Sequence, residues 1–500
     1  MWSIPKGRSA SGGNGVKLRT LVVGAGAAGR TLARDLRTSD GYGLQPVAFL
    51  DDDTRLTAVN GLPVVGPLSS LSASVARFDI QAVVVAIPSL PGDRLRDLAA
   101  AAASAGVPIR VLPSFLAAVE RDARASDLRM MRIDTLLGRD ERHLTRSALR
   151  SPVTGKRVLV TGAGGSIGSE LCRQVRAFEP AAMCLLDHDE TNLHTLQLEL
   201  TGEALLDTDE LVIGDIRDRR RMHQVFDSFK PDLVLHAAAH KHLPLLERHP
   251  CEGVKTNVLG TQILADAAVR AGTERFVLIS TDKAADPTSV LGATKRLAEM
   301  VVQSFAGQGT SFASVRFGNV LGSRGSFLHA MAEQVRRGEP VTVTHPEVTR
   351  FFMTVEEAVS LVLAAVGMAE FGDTFVLDMG KPVKIVDLVQ KYVEQVHVPG
   401  ITIKYTGLRP GEKLNEALFS ELEDRTPTAH ERVWAVQAKP VRPSFTDELI
   451  ALYAAADAND TVAVRQLLDS MIPEYHGAVG IPEQRKEHAL ALSVPYPDGF

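Results

Sequence analysis

The stretch Leu18-Arg19-Thr20-Leu21-Val22-Val23-Gly24-Ala25-Gly26 returns as Lys156-Arg157-Val158-Leu159-Val160-Thr161-Gly162-Ala163-Gly164. In each copy a short β-branched run meets glycines and an amphipathic helical pattern begins. Strand, glycine turn, helix is the opening of a nucleotide-binding α/β unit, so two copies predict two Rossmann-like domains in tandem. The first continues with strands expected at 46–50, 82–87 and 108–112 and an alanine-rich helix at 94–105. In the second, strands expected at 158–160, 182–186, 210–213, 233–236, 276–280 and 312–315 alternate with helical patterns. Such alternation predicts an α/β chain of doubly wound parallel sheets.

Around these runs the chain divides into a flexible tail at 1–17, a first domain at 18–131, a linker at 132–155, a catalytic domain at 156–425 and a helical tail at 426–500. A small mixed substrate lobe is expected mainly over 326–420. Among 500 residues, 45% hydrophobic and 23% charged, there is ample material for large cores. A net charge of −5 argues against a protein built to grip nucleic acid. The three cysteines, Cys172, Cys184 and Cys251, form no C-x-x-C pair, which excludes a disulfide scaffold or a cysteine zinc site and fits a reducing, cytoplasmic setting. No apolar run approaches the ~18–20 residues of a membrane span. His236, His240 and His242 lack carboxylate partners at ligand spacing, so they read as pocket lining and no metal is expected.

In Gly162-Ala163-Gly164-Gly165-Ser166-Ile167-Gly168 the glycines permit a tight turn and close approach of backbone N–H groups to a pyrophosphate. Asp187, ending the next strand, stands where ribose hydroxyls are bound and would repel a 2′-phosphate, so it favours NAD. Asp215 could meet the adenine amino group. Gly24, Gly26, Gly29 and Asp51 repeat the pattern without a reactive cluster downstream, which leaves the first domain as either a regulatory nucleotide site or a ligand-free structural unit.

Ser280-Thr281-Asp282-Lys283 closes a buried strand, where doubly wound sheets present chemistry to a ligand. Lys295 follows on a helix, one turn beyond Leu291. In extended short-chain dehydrogenases these two places hold a Tyr-x-x-x-Lys pair, and leucine cannot move a proton. Either catalysis has been lost, or Thr281, Asp282 and Lys283 carry the acid–base work, an arrangement suited to an elimination.

The strings LLGRD (136–140), VLVTGAGGSIGSELCRQ (158–174), HAAAHKHLPLLE (236–247), STDKA (280–284), GATKRLAE (292–299), RFGNVLGSRGS (316–326), TRFFMT (349–354) and RPGEKLNE (409–416) make the chain resemble the UDP-N-acetylglucosamine 4,6-dehydratases, long members of the extended short-chain dehydrogenases. That resemblance implies an NAD-dependent lyase that oxidises C4, eliminates water across C5 and C6 and returns hydride to C6. It implies tightly bound, recycled NAD on Gly162, Gly165, Ser166, Ile167, Gly168, Asp187, Asp215, Ile216, Ala237, Ala238 and Lys295. Lys241, Asn257, Asn319, Ser326, Arg350, Arg409 and Glu412 would hold UDP-N-acetylglucosamine, with Arg316 or its neighbours contacting ligand beside them. Thr281, Asp282 and Lys283 would be catalytic: Thr281, aided by Asp282, relays the O4 proton, Asp282 protonates the departing C6 hydroxyl, and Lys283, its pKa lowered by burial and a nearby cation, removes the C5 proton. A homo-oligomer is also expected. A UDP-sugar 4-epimerase and a non-catalytic nucleotide-sugar-binding module are the alternatives.

Overall fold

A computed structural model describes residues 17–38, 42–112 apart from 89, 128–130, 152–475 apart from 204, 322, 324–325, 370–371, 397–399, 422 and 438–439, and then 477 and 489–491. All but Lys17 of the expected tail at 1–17, the string at 136–140 and most of the expected linker lie outside these residues. Two units are delineated, Met1–Arg132 and Ile133–Phe500.

Within the first unit, β1 (Leu18–Val23), α1 (Ala27–Thr38), β2 (Leu44–Leu50), α2 (Leu71–Phe78), β3 (Ala82–Val85), α3 (Gly92–Ser104), β4 (Ile109–Val111) and β5 (Arg129–Met130) succeed one another. The sheet order is β2-β1-β3-β4-β5, parallel except at β5, which runs antiparallel to β4. Leu21, Val22 and Val23 are fully buried, as expected of a strand covered by helices on both faces.

The second unit opens with β6 (Arg157–Thr161), α4 (Ser166–Ala177), β7 (Ala182–Asp187), α5 (Glu190–Thr201), β8 (Leu211–Ile213), α6 (Arg219–Phe229) and β9 (Leu233–His236). It continues through α7 (Gly260–Ala271), β10 (Arg275–Ile279), α8 (Val290–Ser304), β11 (Ser311–Arg316), α9 (Phe327–Arg336), α10 (Val355–Met368), β12 (Asp373–Leu377) and α11 (Ile385–Val396). β13 (Arg425–Pro427), β14 (Val433–Val436), α12 (Phe445–Asp457) and α13 (Thr461–Met471) follow. The sheet order is β8-β7-β6-β9-β10-β11-β12-β14-β13. Its first seven strands are parallel, and the order reverses between β6 and β9, so a crevice opens at the carboxyl ends of those two strands.

Two features depart from the expected organisation. Residues 425–436 are not part of a helical tail: β13 and β14 extend the main sheet antiparallel to β12. The helices after them, α12 and α13, bury Phe445, Leu449, Leu452, Val464 and Leu468 in one core with Val290, Leu297 and Val301 of α8. The expected substrate lobe is likewise interrupted, because α10 and β12 return to the main domain. What stands apart is a smaller core in which Met331 and Val335 of α9 and Leu388 and Val389 of α11 pack with Val341, Val343 and Ile403. Its three strands, Val341–Val343, Thr402–Tyr405 and Ala489–Ala491, form a separate sheet.

Candidate active site

The crevice begins where β6 turns into α4. Gly162 has φ +65°, and a Cβ there would lie 2.7 Å from the Ala238 backbone after β9. A Cβ on Gly168 would lie 1.9 Å from the Gly162 carbonyl oxygen, so only glycine lets α4 start this close to the turn. Asp187, at the end of β7, accepts the Gly164 N–H at 2.8 Å and the Asp189 N–H at 3.0 Å. Its Oδ1 also lies 3.2 Å from His188 Nδ1.

A cavity of about 200 Å3 on this side is lined by Gly162, Asp187, Asp215, Ile216, Ala237 and Ala238. It shares Gly165, Ala237, Ala239 and His240 with a larger cavity of about 510 Å3. Ser166, Ile167 and Gly168 line one side of the larger cavity; Thr281, Lys283, Leu291 and Lys295 line another, with Lys241, Asn319 and Ser326 completing the ligand candidates on its wall. Asp215 is engaged by Arg217, whose guanidinium donates to it at 2.6 Å and, with the Arg217 N–H, holds its carboxyl below the usual range against its partial burial.

The reactive residues sit just past β10. The Asp282 N–H is tied to the Phe317 carbonyl at 3.0 Å, and the Thr281 side chain caps the short turn Asp282–Ala284. Thr281 Oγ1 donates to Asp282 Oδ1 at 3.0 Å, and Lys283 Nζ donates to the same oxygen at 2.9 Å. Asp282 is fully buried behind the cavity wall, whereas the Lys283 side chain keeps 19% of its exposure and also reaches Asn319 Oδ1 at 3.4 Å. Burial pulls the Lys283 ammonium down and Arg350 adds to that. The Asp282 and Glu416 carboxylates and the hydrogen bond to Asp282 outweigh both, so Lys283 is held above the usual lysine range. The expectation of a lowered Lys283 pKa is therefore corrected: the nearby cation exists, but two closer carboxylates override it.

On α8, Leu291 stands where a tyrosine would sit and Lys295 is buried one turn later, its Nζ donating to the Ile279 carbonyl at 2.6 Å. Burial, only partly opposed by Glu299, brings Lys295 down to about 8.

Several expected ligand contacts lie elsewhere. Arg316, fully buried, donates to both oxygens of Glu299 at 2.7 Å and to Glu423 at 2.8 Å, a bidentate structural pair behind β10 and β11. Asn257, also fully buried, donates to the His240 carbonyl and accepts its N–H at 2.8 Å, so it pins the loop that lines both cavities from behind. Arg350 is buried and donates to Glu412 at 2.9 Å and to two carbonyls; Arg409 is exposed and its N–H reaches Glu412. Among the described residues neither cavity is lined by these five side chains.

His236 is a link in a buried chain. Thr161 Oγ1 meets its Nδ1 at 2.7 Å, and its Nε2 meets Thr261 Oγ1 at 3.0 Å, which in turn donates to the Asn257 carbonyl. Because Thr261 spends its proton on that carbonyl, His236 carries its own proton on Nε2. Burial, reinforced by Lys295, holds it neutral with a pKa of about 3. Sequence reasoning also missed Glu416, whose side chain is 3% exposed and lies 3.7 Å from Lys283 Nζ. It stood at the end of RPGEKLNE, but no local pattern links it to Lys283. Among the described residues no group of three or more His, Cys, Asp or Glu side chains converges as a metal site, and no helix is long and apolar enough to cross a membrane.

A classical nucleotide turn at the switch point, a Thr-Asp-Lys end to β10 and a helix-borne lysine define a Rossmann-fold protein of the short-chain dehydrogenase class. The family described as polysaccharide biosynthesis protein matches residues 158–438, and the chain belongs to it. The family described as CoA-binding domain matches residues 6–113. Over 433 residues the chain is 44% identical to the probable polysaccharide biosynthesis protein EpsC of Bacillus subtilis, covering 84% of this chain and 70% of that protein. It is 31% identical over 288 residues to a UDP-N-acetylglucosamine 4,6-dehydratase (inverting) of Campylobacter jejuni, covering 56% and 83%. A UDP-glucose 4-epimerase of Rickettsia rickettsii is 31% identical over 276 residues, 54% and 79% of the two chains. The X-ray structure of Pen from Bacillus thuringiensis superposes with a TM-score of 0.52 at 33% identity, covering 57% of this chain and 90% of that one.

Proposed function

We propose that the second unit is an NAD-dependent nucleotide-sugar 4,6-dehydratase acting on UDP-N-acetylglucosamine. The observation that carries this reading is the Asp282–Lys283 pair, 2.9 Å apart at the cavity, combined with leucine at the tyrosine position. An epimerase needs one proton shuttle at O4. A dehydratase needs that shuttle plus a base for C5–H and an acid for the C6 hydroxyl, and the Thr281-Asp282-Lys283 run offers three groups.

The residues present fit NAD. The turn around Gly162 and Gly168 leaves no room for a Cβ, Ser166, Ile167 and Gly168 line the crevice at a helix start, and Asp187 lines it where ribose hydroxyls would sit. Gly162, Gly165, Ser166, Ile167 and Gly168 would hold the pyrophosphate, Asp187 and the Asp215–Ile216 segment the adenosine half, and Lys295 the nicotinamide ribose. When bound, NAD supplies reversible hydride acceptance. Thr281 takes the O4 proton and passes it to Asp282 along their 3.0 Å hydrogen bond. The resulting ketone acidifies C5–H. Lys283, once it has given up one Nζ proton, removes that proton, and Asp282 protonates the departing C6 hydroxyl. Lys241, Asn319 and Ser326 would position the sugar nucleotide from the cavity wall. A homo-oligomer is the expected state, and the unpaired cysteines fit a reducing, cytoplasmic location.

Replacing Lys283 by Ala should lower 4-keto product formation by at least ~100-fold while bound NAD is retained. Measured turnover equal to wild type would sink the assignment.

A further inference from the structure

Among the described residues, two buried carboxyl oxygens beside the reactive run have no hydrogen-bond partner, Asp282 Oδ2 and Glu416 Oε2. Each belongs to a carboxylate whose other oxygen faces Lys283 Nζ, at 2.9 Å and 3.7 Å respectively. Glu416 comes from the segment after β-strand Thr402–Tyr405, so the chain brings it to Lys283 from a different element and shields it from water. A carboxylate withdrawn from water with an oxygen unused is costly unless something charged or a proton satisfies it.

Among the described residues, the charged groups facing Lys283 are Asp282 from its own turn, Glu416, and the like-charged Arg350, which Glu412 balances at 2.9 Å. Arg350 and Glu412 cancel. Asp282, Glu416 and Lys283 then leave one surplus negative charge in a buried cluster, which gives the cluster capacity for one more proton. That capacity is what the elimination lacks, since an ammonium cannot act as a base.

Resting on the dehydratase reading, we propose that Glu416 is a positioning residue that acts through Lys283: it takes one proton from Nζ, and the neutral amine then removes C5–H. In that step an N–H bond breaks and an O–H bond forms on Glu416. The C5–H pair becomes the C5=C6 bond as the C6–O bond breaks, the hydroxyl leaves with the proton from Asp282, and the C5 proton rests on Lys283. As the hydride taken from C4 returns to C6, C5 takes a proton from Lys283 and Glu416 gives its proton back to Nζ, which resets the cluster. The 3.7 Å separation must close by about 0.5–1 Å for transfer, a side-chain adjustment.

The test is E416Q in the full chain, followed by proton NMR. It reads deuterium wash-in at C5 of the 4-keto-6-deoxy product, and turnover of UDP-N-acetylglucosamine, across pH 5–9.5. Without Glu416 the Nζ proton must leave to solvent, so the acid limb should move upward by at least one pH unit. Exchange at pH 7 should fall at least ~10-fold, with KM within about twofold. An E416Q profile that overlays wild type overturns the proposal. If E416Q does not fold, judged by thermal melting, E416D decides: a several-fold slower exchange with the acid limb in place supports it, and an unchanged rate overturns it. Wild type that forms no 6-deoxy product defeats the dehydratase reading itself, which separates the two failures.

Discussion

The two units open alike and diverge at the strand that lies beside that opening. In the first, Asp51 Oδ2 accepts the Ala25 N–H at 2.6 Å; in the second, Asp187 Oδ2 accepts the Gly164 N–H at 2.8 Å. A Cβ on Gly29 would lie 1.9 Å from the Gly24 carbonyl oxygen, the same distance found between Gly168 and Gly162. The neighbouring strand makes the difference. After β9 the second unit places Ala237 and Ala238, whose small side chains leave the crevice open. After β3 the first unit places Ile87, whose Cγ1 is 2.4 Å from where a Gly24 Cβ would be. The second sheet then runs on to β10, which delivers Thr281, Asp282 and Lys283, while the sequence after β4 in the first unit, Leu112-Pro113-Ser114-Phe115, carries no such run. A glycine turn is thus a way of starting a helix beside a strand. Chemistry depends on what the later strands bring to the crevice.

The most severe test of this contrast is one substitution made twice. Gly168→Ala and Gly29→Ala meet the same 1.9 Å clash. Gly168→Ala should lower dehydratase turnover at least ~100-fold, and Gly29→Ala should leave it within about twofold. Equal losses in a steady-state assay would make the two turns equivalent and break the comparison.

Charge burial separates the units next. Arg316 has no exposure and faces Glu299 and Glu423, whereas the Arg94–Asp52 pair of the first unit is 45% exposed on both sides. Among the described residues, Arg316→Met leaves Glu299 and Glu423 only the single cation Arg296, at 3.2 Å and 4.0 Å, and should cost about 3–5 kcal/mol in urea unfolding, against less than ~1 kcal/mol for Arg94→Met. Unchanged stability with a raised substrate KM for Arg316→Met would return Arg316 to the ligand.

The smallest effect concerns pH. His236 is neutral in the fold down to about pH 3, whereas the unfolded chain protonates it near 6.5. Its folded value is depressed, so the unfolded state binds the extra proton and stability falls as pH drops from 6.5 toward 3, by up to about 1.4 kcal/mol per pH unit. His236→Gln, which keeps a donor and an acceptor for the two threonines, should flatten that slope in melts taken between pH 6.5 and 4. An identical slope would show that His236 titrates normally.

What could be read in the sequence was local. Glycine turns, β-branched runs and the Thr281-Asp282-Lys283 run announce themselves within a few residues, and the parallel order of the second sheet followed from them. Partners contributed by distant segments were not legible. Arg316 read as a ligand contact because nothing near it reveals that Glu299 and Glu423 close around it, and Asn257 read as a substrate contact because its target is a backbone peptide. β13 and β14 were missed for a related reason: Arg425-Thr426-Pro427 has no strand pattern of its own, and it is ordered by pairing with Val433–Val436 at a sheet edge. The sign of the Lys283 shift needed Glu416, which only the fold brings near.

The central claim is tested most directly by proton NMR of the purified protein with UDP-N-acetylglucosamine in D2O and no added cofactor. A 4,6-dehydratase carrying bound NAD gives a new C6 methyl signal with deuterium at C5. Inversion at C4 with C6 intact, or no reaction even after NAD is supplied, would contradict it.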